Sequence, residues 1–247
     1  MHPLLTQTDH RPYALSTKPW ALKMTWLELL FMHWPVPAES LRQLIPPELE
    51  LDTFDGSAWL GVVPFEMRDV YPRYTFSVPG LSTFPELNLR TYVTAQGRPG
   101  VWFFSLDAAN WAAVRLARAG FNLPYFDAKM SCLELDDSIY YHSKRTHKGA
   151  PPADFVGQYR ALDSLELSTP GSLEHFLTER YCLYSADAQG GVFRGEIHHQ
   201  AWPLQQAETE IQINRMTEQI GLTLPDTEPL LHFSKRLEVL AWLPEKL

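Results

Sequence analysis

Residues 84–93 read FPELNLRTYV and have the composition of a β-strand. Successive side chains of a strand point to opposite faces, so Glu86, Asn88 and Arg90 share one face, while the leucines between them share the other. The leucine face is the packing side. The polar face either meets water, as in an ordinary surface strand, or points into an enclosed polar chamber.

The next apolar segment, VWFFSLDAAN at 101–110, follows after the short stretch AQGRPG, which predicts a β-hairpin with 84–93. Strict alternation places Ser105 and Asp107 together on one face of this second strand. We expect that face to join the polar side of the hairpin. Aromatic residues beside a few polar groups are typical of a ligand cavity, so we predict that Ser105 contacts a ligand.

The composition is that of a globular protein, with 45% apolar and 20% charged residues in 247 positions. No internal repeat or low-complexity tract divides the chain. We therefore expect a single domain over 1–247, with its core at about 20–243. Short runs rich in aromatic and β-branched residues recur along most of this length, which indicates a mostly β protein.

Three segments interrupt the β pattern with helical spacing of apolar residues: VPAESLRQLI at 36–45, DAANWAAVRLARAG at 107–120 and STPGSLEHFLTERY at 168–181. In the second we expect Trp111, Val114 and Arg118 to follow one another at helical steps, and Gly120 to provide a left-handed cap. A weaker candidate, RMTEQIG, is closed by Gly221. Many strands with a few short helices predict an α+β fold, mostly antiparallel β, built as a large curved sheet or barrel.

The net charge and the motifs of the sequence limit the classes of partner that we expect. The formal net charge is −8, which offers no broad cationic field for a nucleic acid. The amino-terminal residues lack a secretory pattern, and Lys23, Glu28 and His33 interrupt the first apolar run, so we expect a cytoplasmic protein without membrane partners. Because antiparallel sheets leave edges to be covered, a homo-oligomer is a further expectation.

Two candidate acid/base residues stand out. Glu86 could exchange a proton with a ligand if burial raises its pKa, although Arg90 on the same face would oppose that rise. A structural Glu86/Arg90 ion pair is the alternative. Arg90 is also the better ligand anchor, since its planar fork matches a carboxylate or phosphate. His33, at the end of the strand LLFMHW, could contribute proton transfer.

The pair His198-His199 invites a metal interpretation, but neighbours on a strand point to opposite faces and cannot easily hold one ion. Only one of them can enter a cavity, and we expect it to be His198, on the face of Glu196. The cysteines match no zinc spacing, and HExxH, P-loop, Rossmann and GxSxG signatures are absent from the sequence. We therefore expect no metal and no cofactor.

Six strings together resemble the YqjF-like family of uncharacterised bacterial proteins over about 20–242. They are WLELLFMHWPVP, LRQLIPPELELDTFDGSAWLGVVPFEM, FPELNLRTYV, PGVWFFSLDAAN, GEIHHQAWPLQ and LLHFSKRLEVLAW. More distantly, that family is similar to acetoacetate decarboxylase, whose fold is a closed or nearly closed β-cone with an internal cavity. The resemblance implies a β-cone or barrel here, with the polar face of 84–93 turned inward.

The decarboxylase chemistry does not follow from this resemblance. Its Schiff-base lysine precedes a Gly-Tyr-Pro-type segment, and the comparable stretch here, VRLARAGFNLPY, has Arg115 and Arg118 but no lysine. Arginine is too basic to form an imine near neutral pH. Lys129, the nearest lysine, would need a displaced site. Arg118 instead offers a cation for a ligand.

The sequence thus predicts a polar cavity that binds a small anionic or carbonyl-containing molecule, either a carboxylate or a carbonyl compound. The predicted ligand-binding residues are Asn88, Arg90, Ser105, Arg118 and His198. The alternative is a lyase-, isomerase- or hydrolase-type enzyme that uses Glu86 or a histidine such as His33 as its acid or base. A structural or interaction protein with a solvated polar face is the third hypothesis.

Overall fold

A computed structural model describes residues 2–162 and 165–247 and shows a mostly β molecule with few helices, which confirms the predicted α+β class. The strands are β1 (Leu22–Val36), β2 (Glu50–Leu51), β3 (Ala58–Pro72), β4 (Phe84–Ala95), β5 (Arg98–Ala108), β6 (Tyr125–Leu135), β7 (Ser138–Arg145), β8 (Asp154–Ala161), β9 (Cys182–Ala186), β10 (Val192–His198), β11 (Ala207–Asn214), β12 (Leu230–Ala241) and β13 (Glu245–Lys246). The helices are α1 (Ala38–Arg42), α2 (Trp111–Phe121) and α3 (Leu173–Thr178), with 3₁₀ turns at Pro3–Thr6 and Glu218–Ile220.

In the described part of the chain, seven strands close a ring in the order β4, β3, β1, β12, β10, β9 and β5. The ring closes because β5 pairs with β4 on one side and with β9 on the other. Its neighbours are antiparallel except β5 and β9, which run parallel. Closure pairs strand edges that would otherwise be open, and it creates an interior. The predicted cone or barrel is confirmed.

A second layer covers part of the outside of the ring. Strands β6, β7, β8 and β11 continue from β5 as an extension of the sheet. Between this extension and the ring lies one apolar core, in which Leu87 and Leu89 of β4 pack in the same cluster as Tyr141 and Phe155. The leucine face of β4 is therefore the packing face that its alternation predicts.

The predicted hairpin is present, with a tight turn at Gln96 and Gly97, whose φ angles are 51° and 71°. A β-bulge breaks the pairing, because Leu89 lies opposite Ser105 whereas Arg90 lies opposite Phe103. The bulge moves Ser105 to the leucine face. The prediction that Ser105 shares a side with the polar residues of β4 is therefore wrong.

Asp107 is displaced from the polar side of the hairpin by the same bulge. It lies directly opposite Leu87 and so also points to the leucine face, away from Glu86. The residues that oppose Glu86 and Asn88 are Ala108 and Leu106. The β5 wall beside the polar row is consequently apolar.

Helix α2 differs in detail from its prediction. Asn110 caps its start by accepting hydrogen bonds from two backbone N–H groups, and Asn122, with φ 52°, provides the left-handed cap predicted for Gly120. Trp111 is exposed, since the buried side of the helix is centred on Val114.

The turn at Gly221 forms as predicted, with φ 71°. No helix in the described ranges is long and apolar enough to cross a membrane.

Candidate functional site

The interior of the strand ring contains a cavity of about 730 Å³. Its walls come from the ring strands and from one side of α2, and most of them are apolar. Glu86, Asn88 and Arg90 all line it, and their exposed fractions are only 2%, 4% and 8%. The polar face of β4 therefore points into the cavity and away from bulk solvent.

The cavity has a mouth and a deep end. Its outer walls include Phe76 and Leu116, which are largely exposed and belong to the loop 73–83 and to α2. Asn110 joins these two elements by donating from Nδ2 to the carbonyl of Leu81 at 2.6 Å. Strand β4 begins directly after this loop, and Arg90 lies six residues further on, about 20 Å along an extended strand. Arg90 thus occupies the deep end.

Arg90 carries a buried positive charge without a carboxylate partner. Its Nη2 donates to the Tyr92 hydroxyl at 3.2 Å and to the Leu177 carbonyl at 3.4 Å, whereas its Nε has no hydrogen-bond acceptor within the described residues. Among the same residues it forms no ion pair, with Glu86 or with any other acid. The structural Glu86/Arg90 pair is therefore ruled out. A buried cation left in this state favours an anionic ligand.

Asn88 lies between Glu86 and Arg90 on β4. Its Oδ1 is buried and has no hydrogen-bond partner in residues 2–162 and 165–247. Buried amide oxygens normally accept a hydrogen bond, because leaving them without one costs free energy. Asn88 therefore adds a polar contact for a ligand beside Arg90.

The Oε2 of Glu86 accepts a hydrogen bond from the Tyr125 hydroxyl at 2.8 Å. Burial raises the pKa of Glu86 to about 8, the hydrogen bond from Tyr125 opposes this rise, and the nearby Asp107 adds to it. The carboxyl is mostly protonated at pH 7. In that form it does not repel an anion, and it can exchange a proton with a ligand near neutral pH.

His33 does not line the cavity, so its predicted direct role has no contact to support it. Its Nε2 lies 2.6 Å from the Tyr92 hydroxyl, and its ring stacks on Phe31 at 5.7 Å. Tyr92 accepts from Arg90, so its own proton goes to His33. Burial lowers the pKa of His33 well below its usual value, and Arg90 adds to this effect. His33 is a neutral residue that holds Tyr92 in place.

Ser105 and Arg118 also lie outside the cavity lining. Ser105, moved to the other face by the bulge, accepts a hydrogen bond from Gln219 at 2.8 Å. Arg118 lies on the exposed side of α2 and donates to the carbonyl of Tyr125 at 2.8 Å. Neither side chain is placed to contact a ligand in the ring. Arg118 instead positions the backbone of Tyr125, the partner of Glu86.

The histidine pair is arranged the opposite way from its prediction. His198 does share a face with Glu196, but this face is outside the ring, where His198 Nε2 lies 2.8 Å from the Leu4 carbonyl. Its neighbour His199 lines the cavity together with Ile197. Ile197 is the apolar residue two positions before His199. It indicates from the sequence that the face of Ile197 and His199 points inward, and not the face of Glu196 and His198.

Further cavity residues that were not predicted as ligand contacts include Arg180, Trp26 and Trp202. Arg180 adds a second guanidinium at the deep end, 5.0 Å from the Tyr92 ring, although it pairs with Asp52 at 2.6 Å. Trp26 and Trp202 stack with their ring centroids 5.7 Å apart. Both indole Nε1 groups are buried without an acceptor among the described residues. These residues come from distant parts of the chain, so only the fold brings them together.

The cavity lining contains no lysine in the part of the chain that the structure describes. A Schiff base to a cavity lysine therefore has no residue to form it there. Within residues 2–162 and 165–247, no cluster of three or more His, Cys, Asp or Glu side chains is arranged to hold a metal ion.

Solved structures with the same fold include two kinds of enzyme. Acetoacetate decarboxylase from Legionella pneumophila matches with a TM-score of 0.61 at 14% identity, covering 99% of this chain and 94% of that one. The enduracididine biosynthesis enzyme MppR complexed with pyruvate matches with a TM-score of 0.62 at 12% identity, covering 95% of this chain and 93% of that one. At this level of identity the likeness concerns the fold.

Sequence comparison gives a nearer relative. YqjF of Bacillus subtilis strain 168, described as an uncharacterized protein, is 46% identical over 223 residues, which are 90% of this chain and 91% of that protein. The model of the DUF2071 family matches residues 23–238. The predicted YqjF-like kinship is therefore confirmed, and the chain belongs to DUF2071, a family of uncharacterized conserved proteins.

Proposed function

We propose that the protein binds an organic carboxylate inside the strand ring, with the carboxylate group on Arg90. The observation that carries this proposal is the guanidinium of Arg90, which is buried at the deep end of the 730 Å³ cavity and has no ion pair within the described residues. A planar guanidinium matches a carboxylate in charge and geometry. The cavity volume falls in the range typical of sites for small molecules.

Other residues support the same ligand class. Asn88 offers a free amide oxygen to a hydroxyl or amide hydrogen of the ligand. Glu86, mostly protonated at pH 7, adds a neutral carboxyl to the same wall. The name of the MppR complex records pyruvate, a small oxo acid, as a ligand of that protein, which agrees with a carboxylate in this fold.

Replacing Arg90 by methionine should weaken carboxylate binding at least about tenfold, because a buried charge-assisted contact is lost. Isothermal titration calorimetry with butanoate and decanoate measures this change. Arg215→Met, at an exposed arginine paired with Glu218, is the matched control and should bind as the unmodified protein does. Equal carboxylate affinities of Arg90→Met and Arg215→Met would show that Arg90 does not contact the ligand.

A second candidate function is acid/base catalysis by Glu86. This role is favoured by its position on the cavity wall and by its pKa of about 8. In its ionised form Glu86 would take a proton from the carbon beside the oxo group of a bound oxo acid, which leaves an enolate, and the Glu86 carboxyl would then return a proton, or a deuteron in deuterated buffer, to that carbon. We expect NMR in deuterated buffer to show exchange with the unmodified protein and none with Glu86→Gln. Exchange that continues in Glu86→Gln, in a variant with an unchanged circular dichroism spectrum, contradicts this role.

A cytoplasmic location, a homo-oligomeric state and the lack of nucleic-acid or membrane partners stay predictions from the sequence. Sedimentation at several protein concentrations measures the assembly state.

A further inference from the structure

The cavity is much larger than a small oxo acid needs. An apolar protein cavity of about 150 Å³ already holds a benzene molecule. The cavity here has about 730 Å³, nearly five times as much. A ligand of three or four carbons on Arg90 would leave most of this volume unfilled.

The space between Arg90 and the mouth is bordered by apolar side chains. On β3 the residues that pair with Asn88 and Glu86 are Val63 and Phe65, and on β5 the residue opposite Asn88 is Leu106. All three line the cavity. Apart from the polar side chains of β4, these walls are suited to bury the hydrocarbon body of a ligand. They would offer few hydrogen-bond partners to a polar body.

Helix α2 continues the apolar wall toward the outside. Ala113, Ala117 and Phe121 line the cavity from this helix. At the mouth, Leu116 and Phe76 are 74% and 78% exposed, although both border the cavity. An apolar path therefore runs from the deep cationic end to the surface.

We infer that the ligand is an amphipathic carboxylate, with its anionic group on Arg90 and an apolar body larger than a benzene ring that extends past Glu86 toward α2 and the loop 73–83. This inference rests on the proposed carboxylate site and adds the class of molecule that the site takes. The protonated Glu86 carboxyl lies beside the path and carries little charge at pH 7, so it does not oppose an apolar chain there.

Calorimetric titration of the unmodified protein with butanoate, hexanoate, octanoate and decanoate tests the inference. Each added methylene group that enters the cavity should tighten the Kd about three- to fourfold. Decanol should bind at least about tenfold more weakly than decanoate, because it lacks the charge for Arg90. A flat series overturns the inference and leaves the carboxylate site intact, whereas failure of every carboxylate to bind defeats the proposed function itself.

Two variants of α2 separate the cavity from nonspecific binding. Ala117→Phe fills the inner wall and should weaken decanoate binding at least about tenfold while butanoate binding is kept. Ala119→Phe, on the exposed side of the same helix, should change neither. Decanoate that binds equally to both variants lies outside the cavity, and the inference fails.

Leu116→Asn provides a second variant in case Ala117→Phe does not fold. Leu116 is exposed, so this change leaves the core untouched. It removes an apolar contact at the mouth and should weaken the binding of hexadecanoate, whose chain is long enough to reach from Arg90 to the mouth, about threefold with butanoate unchanged. Unchanged hexadecanoate affinity in Leu116→Asn contradicts a ligand that reaches the mouth.

Discussion

Replacing Arg145 by methionine should lower the free energy of unfolding by about 3–5 kcal/mol. Arg145 holds Asp107 through two hydrogen bonds of 2.6 Å, from Nε and Nη2, and the exposed fractions of the two side chains are 1% and 0%. The substitution leaves the carboxylate of Asp107 buried without its counter-charge. Urea denaturation at pH 7 measures the loss.

Arg90→Met is the informative comparison, because it removes a buried arginine that has no ion pair among the described residues. Its free energy of unfolding should equal or exceed that of the unmodified protein. The double variant Asp107→Leu/Arg145→Met should recover most of the loss seen in Arg145→Met. Equal destabilisation by the Arg90 and Arg145 variants would mean that Arg90 has a structural role instead of a free charge.

Glu86→Gln should make the protein more stable than the unmodified form at high pH. The unfolded chain releases the Glu86 proton near pH 4.5, whereas the folded protein holds it up to about pH 8. Between these values the folded state binds more protons, so the free energy of unfolding of the unmodified protein falls as pH rises. Glutamine does not titrate. The stability difference in favour of Glu86→Gln should therefore grow by about 4 kcal/mol between pH 5 and pH 9.

Urea denaturation of both proteins at pH 5, 7 and 9 measures that difference. Glu48→Gln is the control, at an exposed glutamate that follows α1 in the sequence. Its stability difference from the unmodified protein should show no comparable growth with pH. A difference that stays constant with pH would show that Glu86 ionises at the same pH in the folded and unfolded states. The neutral acid on the cavity wall would then be absent, and with it the proton exchange proposed for Glu86.

Strand periodicity predicted the central feature of the site. The alternation in 84–93 places Glu86, Asn88 and Arg90 on one face, and this holds because β4 itself is regularly paired with β3 over that stretch. Whether the face is wet or enclosed does not follow from alternation. The aromatic residues of the neighbouring strand and the resemblance to a β-cone favoured an enclosed face, and the enclosing strands come from distant parts of the chain.

The errors have local physical causes. A single β-bulge in β5 moved Ser105 and Asp107 to the other face, and periodicity cannot detect a residue that is left out of the pairing. The cap of α2 fell on Asn122, because asparagine also tolerates the left-handed conformation. The choice of His198 over His199 followed the polar neighbour Glu196, although an apolar neighbour is the better guide to an apolar cavity.

The residues that give the site its chemistry are separated widely in sequence. Tyr125 reaches Glu86 from 39 positions away. Tyr92, which contacts Arg90, also contacts His33, from which it is separated by 59 positions. No spacing motif encodes such contacts. Acetoacetate decarboxylase from Legionella pneumophila has a similar fold, and the cavity lining here offers an arginine without an ion pair and a protonated glutamate but no lysine among the described residues. Function in this fold therefore depends on the side chains inside the ring.

A crystal structure of the protein with ω-bromodecanoate tests the central claim most directly, because anomalous scattering locates the bromine and the electron density locates the carboxylate. The account predicts a carboxylate within hydrogen-bond distance of the Arg90 guanidinium and a bromine on the α2 side of the cavity. A bromine signal only on the outer surface, with no ligand density beside Arg90, would contradict it.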